Sequence, residues 1–179
     1  MNKKNSKTIF SLIAFLLLYV SCLFAQQENT NNPSSPTPES TVNKLYDLVT
    51  FEAGSPPDWE EVKSLFIETA VVVLRTSRIG STVFTLNGFI EDFVRFAGDE
   101  RVKEGGFSEK IKKMESLIFG DIAHILVVYE ASIPGTTTPP QLGLDSMHLI
   151  RKENGWKIVS IINEVPTPDR PLPEKLRDK

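Results

Sequence analysis

The chain has 179 residues with 20 basic and 23 acidic side chains, a formal charge of −3, and 40% of its residues are hydrophobic. That balance excludes a disordered tail protein, a collagen-like repeat and a multi-span membrane protein, and its length suits one compact domain.

Residues 1–25 have the grammar of a secretory signal. Lys3, Lys4 and Lys7 precede an apolar run from Ile9 to Val20, and Leu23-Phe-Ala25 before Gln26 offers a small residue at the cut. The run is short of the roughly 20 residues that span a bilayer. The expected protein is therefore exported, periplasmic or secreted, with no membrane span once the signal is removed. Cys22, the one cysteine, ends Leu18-Tyr-Val-Ser-Cys22 and offers the alternative of lipidation, although Tyr19 stands where a lipoprotein signal usually carries an aliphatic residue. After a cut at Ala25 the mature chain has neither disulfide nor thiolate, and it carries 17 cations against 23 acids. Such an acidic chain has no phosphate-neutralising stripe, so nucleic acid is not an expected partner.

Residues 26–40 hold three prolines and hardly an apolar side chain, and read as a flexible linker. Folding is expected from Thr41, where Val42, Leu45, Tyr46 and Val49 recur at helical spacing. A second helix should start at Asp58, with Glu61 as its reciprocal cap and Trp59, Val62, Leu65 and Phe66 along one stripe. Ala70-Val-Val-Val-Leu74 reads as a strand, and Leu86–Ala97 as a third helix with Phe89, Phe93 and Phe96 on one face.

From Phe107 onward the pattern is of strands, at 107–117, 121–132, 142–152 and 156–164. Gly120, Pro134-Gly135 and Asn154-Gly155 lie between them. Helices first and an antiparallel meander after define an α+β class. The strands at 121–132 and 156–164 are apolar on both faces. One face should therefore take the helices and the other a second copy of the chain, so a homodimer is expected.

The segment Pro57-Asp-Trp-Glu-Glu-Val-Lys-Ser-Leu-Phe66 resembles the opening helix of NTF2-like, SnoaL-like domains. Phe119–Glu130 is similar to their central strand, and Leu142–Ile150 with Gly155–Ser160 to their final hairpin. The resemblance covers roughly residues 42–176, with the domain bounded at 41–166 and a proline-rich tail at 167–179. It implies a cone, in which N-terminal helices pack on a strongly curved antiparallel sheet around an apolar pocket, commonly as a dimer. Ketosteroid isomerase, scytalone dehydratase and polyketide cyclases share that fold with binding modules that have no known chemistry, so fold does not choose between them.

The implied pocket is expected to be walled by Trp59, Phe89 and Phe93, with His124 and Tyr129 as candidate polar groups of which strand parity lets only one face inward. Parity likewise separates Asp121 from His124 and Asp145 from His148. A hairpin folded about residues 137 and 138 puts Val127 opposite His148, so the two histidines should stand about three residues out of step, roughly 10 Å apart, too far to share a metal. No metal and no cofactor is expected. The reading is an exported domain that binds a small apolar molecule or serves as a scaffold without catalysis; the alternative is a lyase, isomerase or hydrolase of the ketosteroid-isomerase kind.

Overall fold

The computed structural model describes residues 36–75 and 77–177, so the signal, Cys22 and linker residues 26–35 lie outside the described residues. The elements are α1 Pro38–Val49, α2 Trp59–Ser64, β1 Phe66–Arg75, β2 Ser81–Thr85, α3 Leu86–Ala97, α4 Glu100–Gly105, β3 Ser108–Phe119, β4 Ile122–Ser132, β5 Gln141–Lys152 and β6 Gly155–Glu164. Helix α1 starts three residues inside the stretch read as linker. Pro38 suits the first turn because its missing N–H needs no partner there, and Thr37 and Ser40 close a capping box. Asp58 caps α2 as expected, accepting from the N–H groups of Glu60 and Glu61, whereas the Glu61 carboxylate turns instead to Lys44 Nζ at 2.7 Å.

The six strands form one sheet in the order β2-β1-β6-β5-β4-β3. The expected meander is its β3–β6 half. At its edge β1 lies parallel to β6, the one departure from an antiparallel sheet, and β2 pairs antiparallel with β1. Helices rather than a tight turn connect this hairpin to the meander, so no turn dictates its direction.

Alternation sorts the meander into two faces. On β4, Ala123, Ile125 and Val127 are buried against the helices together with Met147 and Leu149 of β5 and Ile158 and Ile161 of β6. Val42, Leu45, Tyr46 and Val49 supply the helical side of this core from α1. The opposite face carries Val128, on which the tail folds back: Leu172 and Leu176, 8% and 1% exposed, pack there beside Leu126 and Leu144. The tail is held by Arg170 Nη1 on Glu164 Oε1 at 3.0 Å and by Arg177 Nε donating to the Leu172 carbonyl at 2.7 Å. The rest of that face keeps Leu117, Phe119 and Ile122 exposed.

Candidate functional site

Between α1, α3 and the concave face of the sheet lies a cavity of about 400 Å³. Its walls include Leu45, Val72, Phe89, Phe93, Phe96 and Phe107, and its polar side chains are Tyr46, Asp92, Glu109, Tyr129, Gln141, Asp145 and Asn163. Helix α3 turns its phenylalanines to the cavity because positions 89, 93 and 96 recur at three- and four-residue spacing. Phe93 meets Phe89, Phe96 and Phe107 at centroid distances of 5.9, 5.6 and 5.8 Å, so the wall is a continuous aromatic cluster.

The polar floor is built from four elements. Asp145 on β5 accepts from Tyr46 Oη of α1 at 2.7 Å on Oδ2, and from Asn163 Nδ2 of β6 at 2.8 Å on Oδ1. The same Asn163 nitrogen donates to Tyr129 Oη of β4 at 2.7 Å. The amide orientation follows from chemistry, since a carboxylate only accepts and so requires the –NH₂ side of Asn163. Tyr129 Oη, which receives that bond, retains its own proton. No acceptor for it is present among the described residues, so it is left to donate into the cavity.

Tyr129 reaches this place because Gly143 stands opposite it on β5. A Cβ at position 143 would overlap the Tyr129 ring, so the absent side chain is what lets the ring lie across the strand.

Glu109 is placed by a different device. Phe51 and Phe107 exchange both backbone hydrogen bonds at 2.8 Å, a close approach that Gly106 permits, since a Cβ there would lie 2.5 Å from the Phe51 carbonyl oxygen. Two residues on, Thr50 Oγ1 donates to the Glu109 carbonyl at 3.0 Å and accepts from its N–H at 2.9 Å. The backbone is thus pinned from both sides, while the Glu109 carboxyl has no hydrogen-bond or ion-pair partner among the described residues.

Burial and the nearby Asp145 push the Glu109 carboxyl up to about 8. Burial also raises Asp145 to about 6, against the opposing pull of its hydrogen bonds from Asn163 and Tyr46. Both tyrosine hydroxyls are raised, chiefly by burial and then by Asp145. Two carboxyls whose ionisation straddles neutrality, beside a free phenolic donor, are able to hold or move a proton at a bound polar atom.

Of the residues expected here, Phe89, Phe93 and Tyr129 line the cavity. Trp59 does not: it packs edge-on against Phe93 at 5.4 Å from outside, beside a second, separate hollow of about 490 Å³ with Val94 and Phe51. His124 is on the other face of the sheet, as parity requires once Tyr129 points inward. It stands directly opposite His148, and the two rings stack at 4.8 Å, with His124 Nε2 2.9 Å from Ser146 Oγ and His148 Nδ1 3.1 Å from Ser160 Oγ. Burial, and His148 beside it, hold the His124 pKa below its ordinary value. The expected three-residue offset between the histidines is therefore incorrect. The ladder runs up to Ala131 opposite Gln141, so paired positions sum to 272 and the hairpin folds about Thr136, whose N–H and Oγ1 both donate to the Ile133 carbonyl, rather than about 137 and 138; this shifts the pairing by three. Asp121 lies exposed at the β3–β4 turn, 3.4 Å from Arg151 Nε.

No family model matches the sequence, and no curated protein matches it. Solved structures do. An NTF2-like protein of unknown function from Pseudomonas putida is 10% identical, with 78% of this chain and 93% of that chain covered at a TM-score of 0.58. An NTF2-like protein with a cystatin-like fold from Novosphingobium aromaticivorans is 12% identical, covers 86% of this chain and 92% of its own, and has a TM-score of 0.56. The yeast UBP3-associated protein BRE5 is 13% identical over 72% of this chain and 93% of that one, at a TM-score of 0.53. The fold is NTF2-like, α+β, with helices packed on a curved sheet.

Proposed function

We propose that this NTF2-like chain is an exported protein whose cone cavity binds a small, mostly apolar molecule and orients it by one polar group. The observation that carries the reading is the asymmetry of the cavity. Its aromatic wall gives an apolar body affinity without direction, and its polar floor, fixed by the Tyr46–Asp145–Asn163–Tyr129 chain, gives direction. Its volume of about 400 Å³ is within the range of sites for small organic molecules. Export belongs to the same reading through residues 1–25. A homodimer through the uncovered part of the outer face is supported by Leu117, Phe119 and Ile122, at 73, 82 and 58% exposure.

The test is mass spectrometry of small molecules released by denaturing the mature protein purified from its native host. A compound present with wild type and lost with Ala131→Trp, which fills the cavity from β4, supports the reading. The same compounds in both samples argue against it.

A second reading, a lyase or isomerase that moves a proton, is supported by the unpartnered Glu109 carboxyl at about 8 in an apolar cavity. In it, ionised Glu109 takes a proton from a carbon beside a carbonyl whose oxygen accepts from Tyr129. The measurement is deuterium uptake into a cyclic ketone probe, followed by NMR. Uptake catalysed by wild type and lost in Glu109→Gln supports catalysis, and no uptake above buffer leaves binding alone.

A further inference from the structure

The cavity's charges have one sign. Asp92, Glu109 and Asp145 line it, and among the described residues no lysine, arginine or histidine does. Two of the three acids are already satisfied: Asp92 pairs with Arg95 at 2.7 Å, and Asp145 accepts from Tyr46 and Asn163. Glu109 is not. Its backbone is pinned on Thr50, yet its carboxyl ends in the cavity with no donor supplied by any described residue.

Resting on the binding reading above, we propose that the occupant is an organic amine carried as its cation, with its apolar body against Phe93 and Phe107 and its ammonium on the Glu109 carboxyl. A carboxyl left without a partner in an apolar cavity is costly when ionised, and a cation supplies the missing partner. Phe93, Phe96 and Phe107 line the same cavity, and aromatic rings attract a cation rather than an anion over their faces. An anionic ligand would meet the opposite: the carboxyls of Glu109 and Asp145 at close range, and no cation among the described lining residues to offset its charge.

The groups facing Glu109 are Asp145 from β5, Tyr46 from α1 and Tyr129 from β4. None carries a positive charge. With the cavity empty, the Glu109 carboxyl near pH 7 is mostly protonated. An arriving ammonium draws it to the ionised form, so binding releases a proton, and amine affinity rises with pH until Glu109 is ionised without help.

The experiment is calorimetric titration of the mature protein with three probes that share one apolar body: 1-adamantylamine, 1-adamantanol and 1-adamantanecarboxylate. The expected result at pH 7 is the amine tightest, the alcohol weaker by about tenfold or more, and the carboxylate weakest. Repeating the amine titration in two buffers of different ionisation enthalpy should show release of up to about one proton. Glu109→Gln should bring the amine's affinity down to that of the alcohol. In wild type, amine affinity should rise between pH 6 and 8 while that of the alcohol stays level, a readout that needs no variant. If the alcohol binds as well as the amine, or if Glu109→Gln keeps the preference, the amine proposal is overturned and the apolar cavity reading stands. If none of the three binds, both fall.

Discussion

Tyr46 and Asp145, 99 positions apart in the chain, meet in a 2.7 Å hydrogen bond that ties α1 to the centre of the sheet at the floor of the cavity. The bond is directional in chemistry as well as geometry. The tyrosine can donate, the ionised carboxylate can only accept, and the bond therefore favours the charged form of Asp145 against the burial that opposes it.

Removing that donor should raise the Asp145 pKa. In Tyr46→Phe the carboxylate keeps only Asn163, so its titration should move above about 6. Carboxyl carbon NMR measures it. An unchanged midpoint would mean that Tyr46 contributes packing alone.

Stability should fall as pH rises through the neutral range. The folded-state pKa values of Glu109 and Asp145, about 8 and about 6, lie above those of unfolded acids, so the folded chain binds more protons than the unfolded one between about pH 4 and 8. The contribution is adverse and grows across that window. Each group adds a slope of at most about 1.4 kcal/mol per pH unit. Urea unfolding at pH 5, 6.5 and 8 measures it, and Glu109→Gln should flatten the part above pH 6.

Gly143→Ala should displace the Tyr129 ring, break its hydrogen bond with Asn163 and destabilise the fold by about 1–3 kcal/mol, the usual range for overpacking. Thermal unfolding together with the Tyr129 ring shifts tests it. A stable variant with unmoved ring resonances would contradict the role assigned to the glycine.

Leu176 is buried on the outer face of the sheet, so Leu176→Ala should cost about 2–5 kcal/mol, the usual range for emptying a buried leucine site. Deleting residues 167–179 should uncover Val128 and increase self-association, which light scattering reads. The same instrument tests the homodimer: a dimer mass for wild type and a monomer mass for Phe119→Glu are expected, whereas a wild-type monomer removes that proposal.

Much of this architecture was legible because periodicity reports burial. Helix α3 at 86–97 and the four strands after 107 follow directly from the alternation of apolar and polar residues and from glycine at the turns. The floor of the cavity was less so. Glu109 sits in a run with Lys110, Lys112 and Lys113 that reads as a solvated strand face. A bulge between Ile111 and Lys113 puts one extra residue into β3, so Glu109 and Ile111 share an inward face with Met114, although an unbroken alternation would put 109 and 114 on opposite faces. Asp145 was visible as a polar residue in a strand, but its partners Tyr46 and Asn163 are long-range neighbours that no local pattern announces. The parallel ladder between β1 and β6 was hidden for the same reason.

The concave cavity, not the outer face with its paired histidines, is the proposed binding site. The most direct measurement is NMR mapping of backbone amides during titration with a neutral apolar alcohol such as 1-adamantanol. The expected shifts concentrate at Tyr46, Phe93, Phe107, Glu109, Tyr129 and Asp145, with His124 and His148 unmoved. Shifts centred on His124, His148 and Phe119, with the cavity residues unmoved, would contradict it.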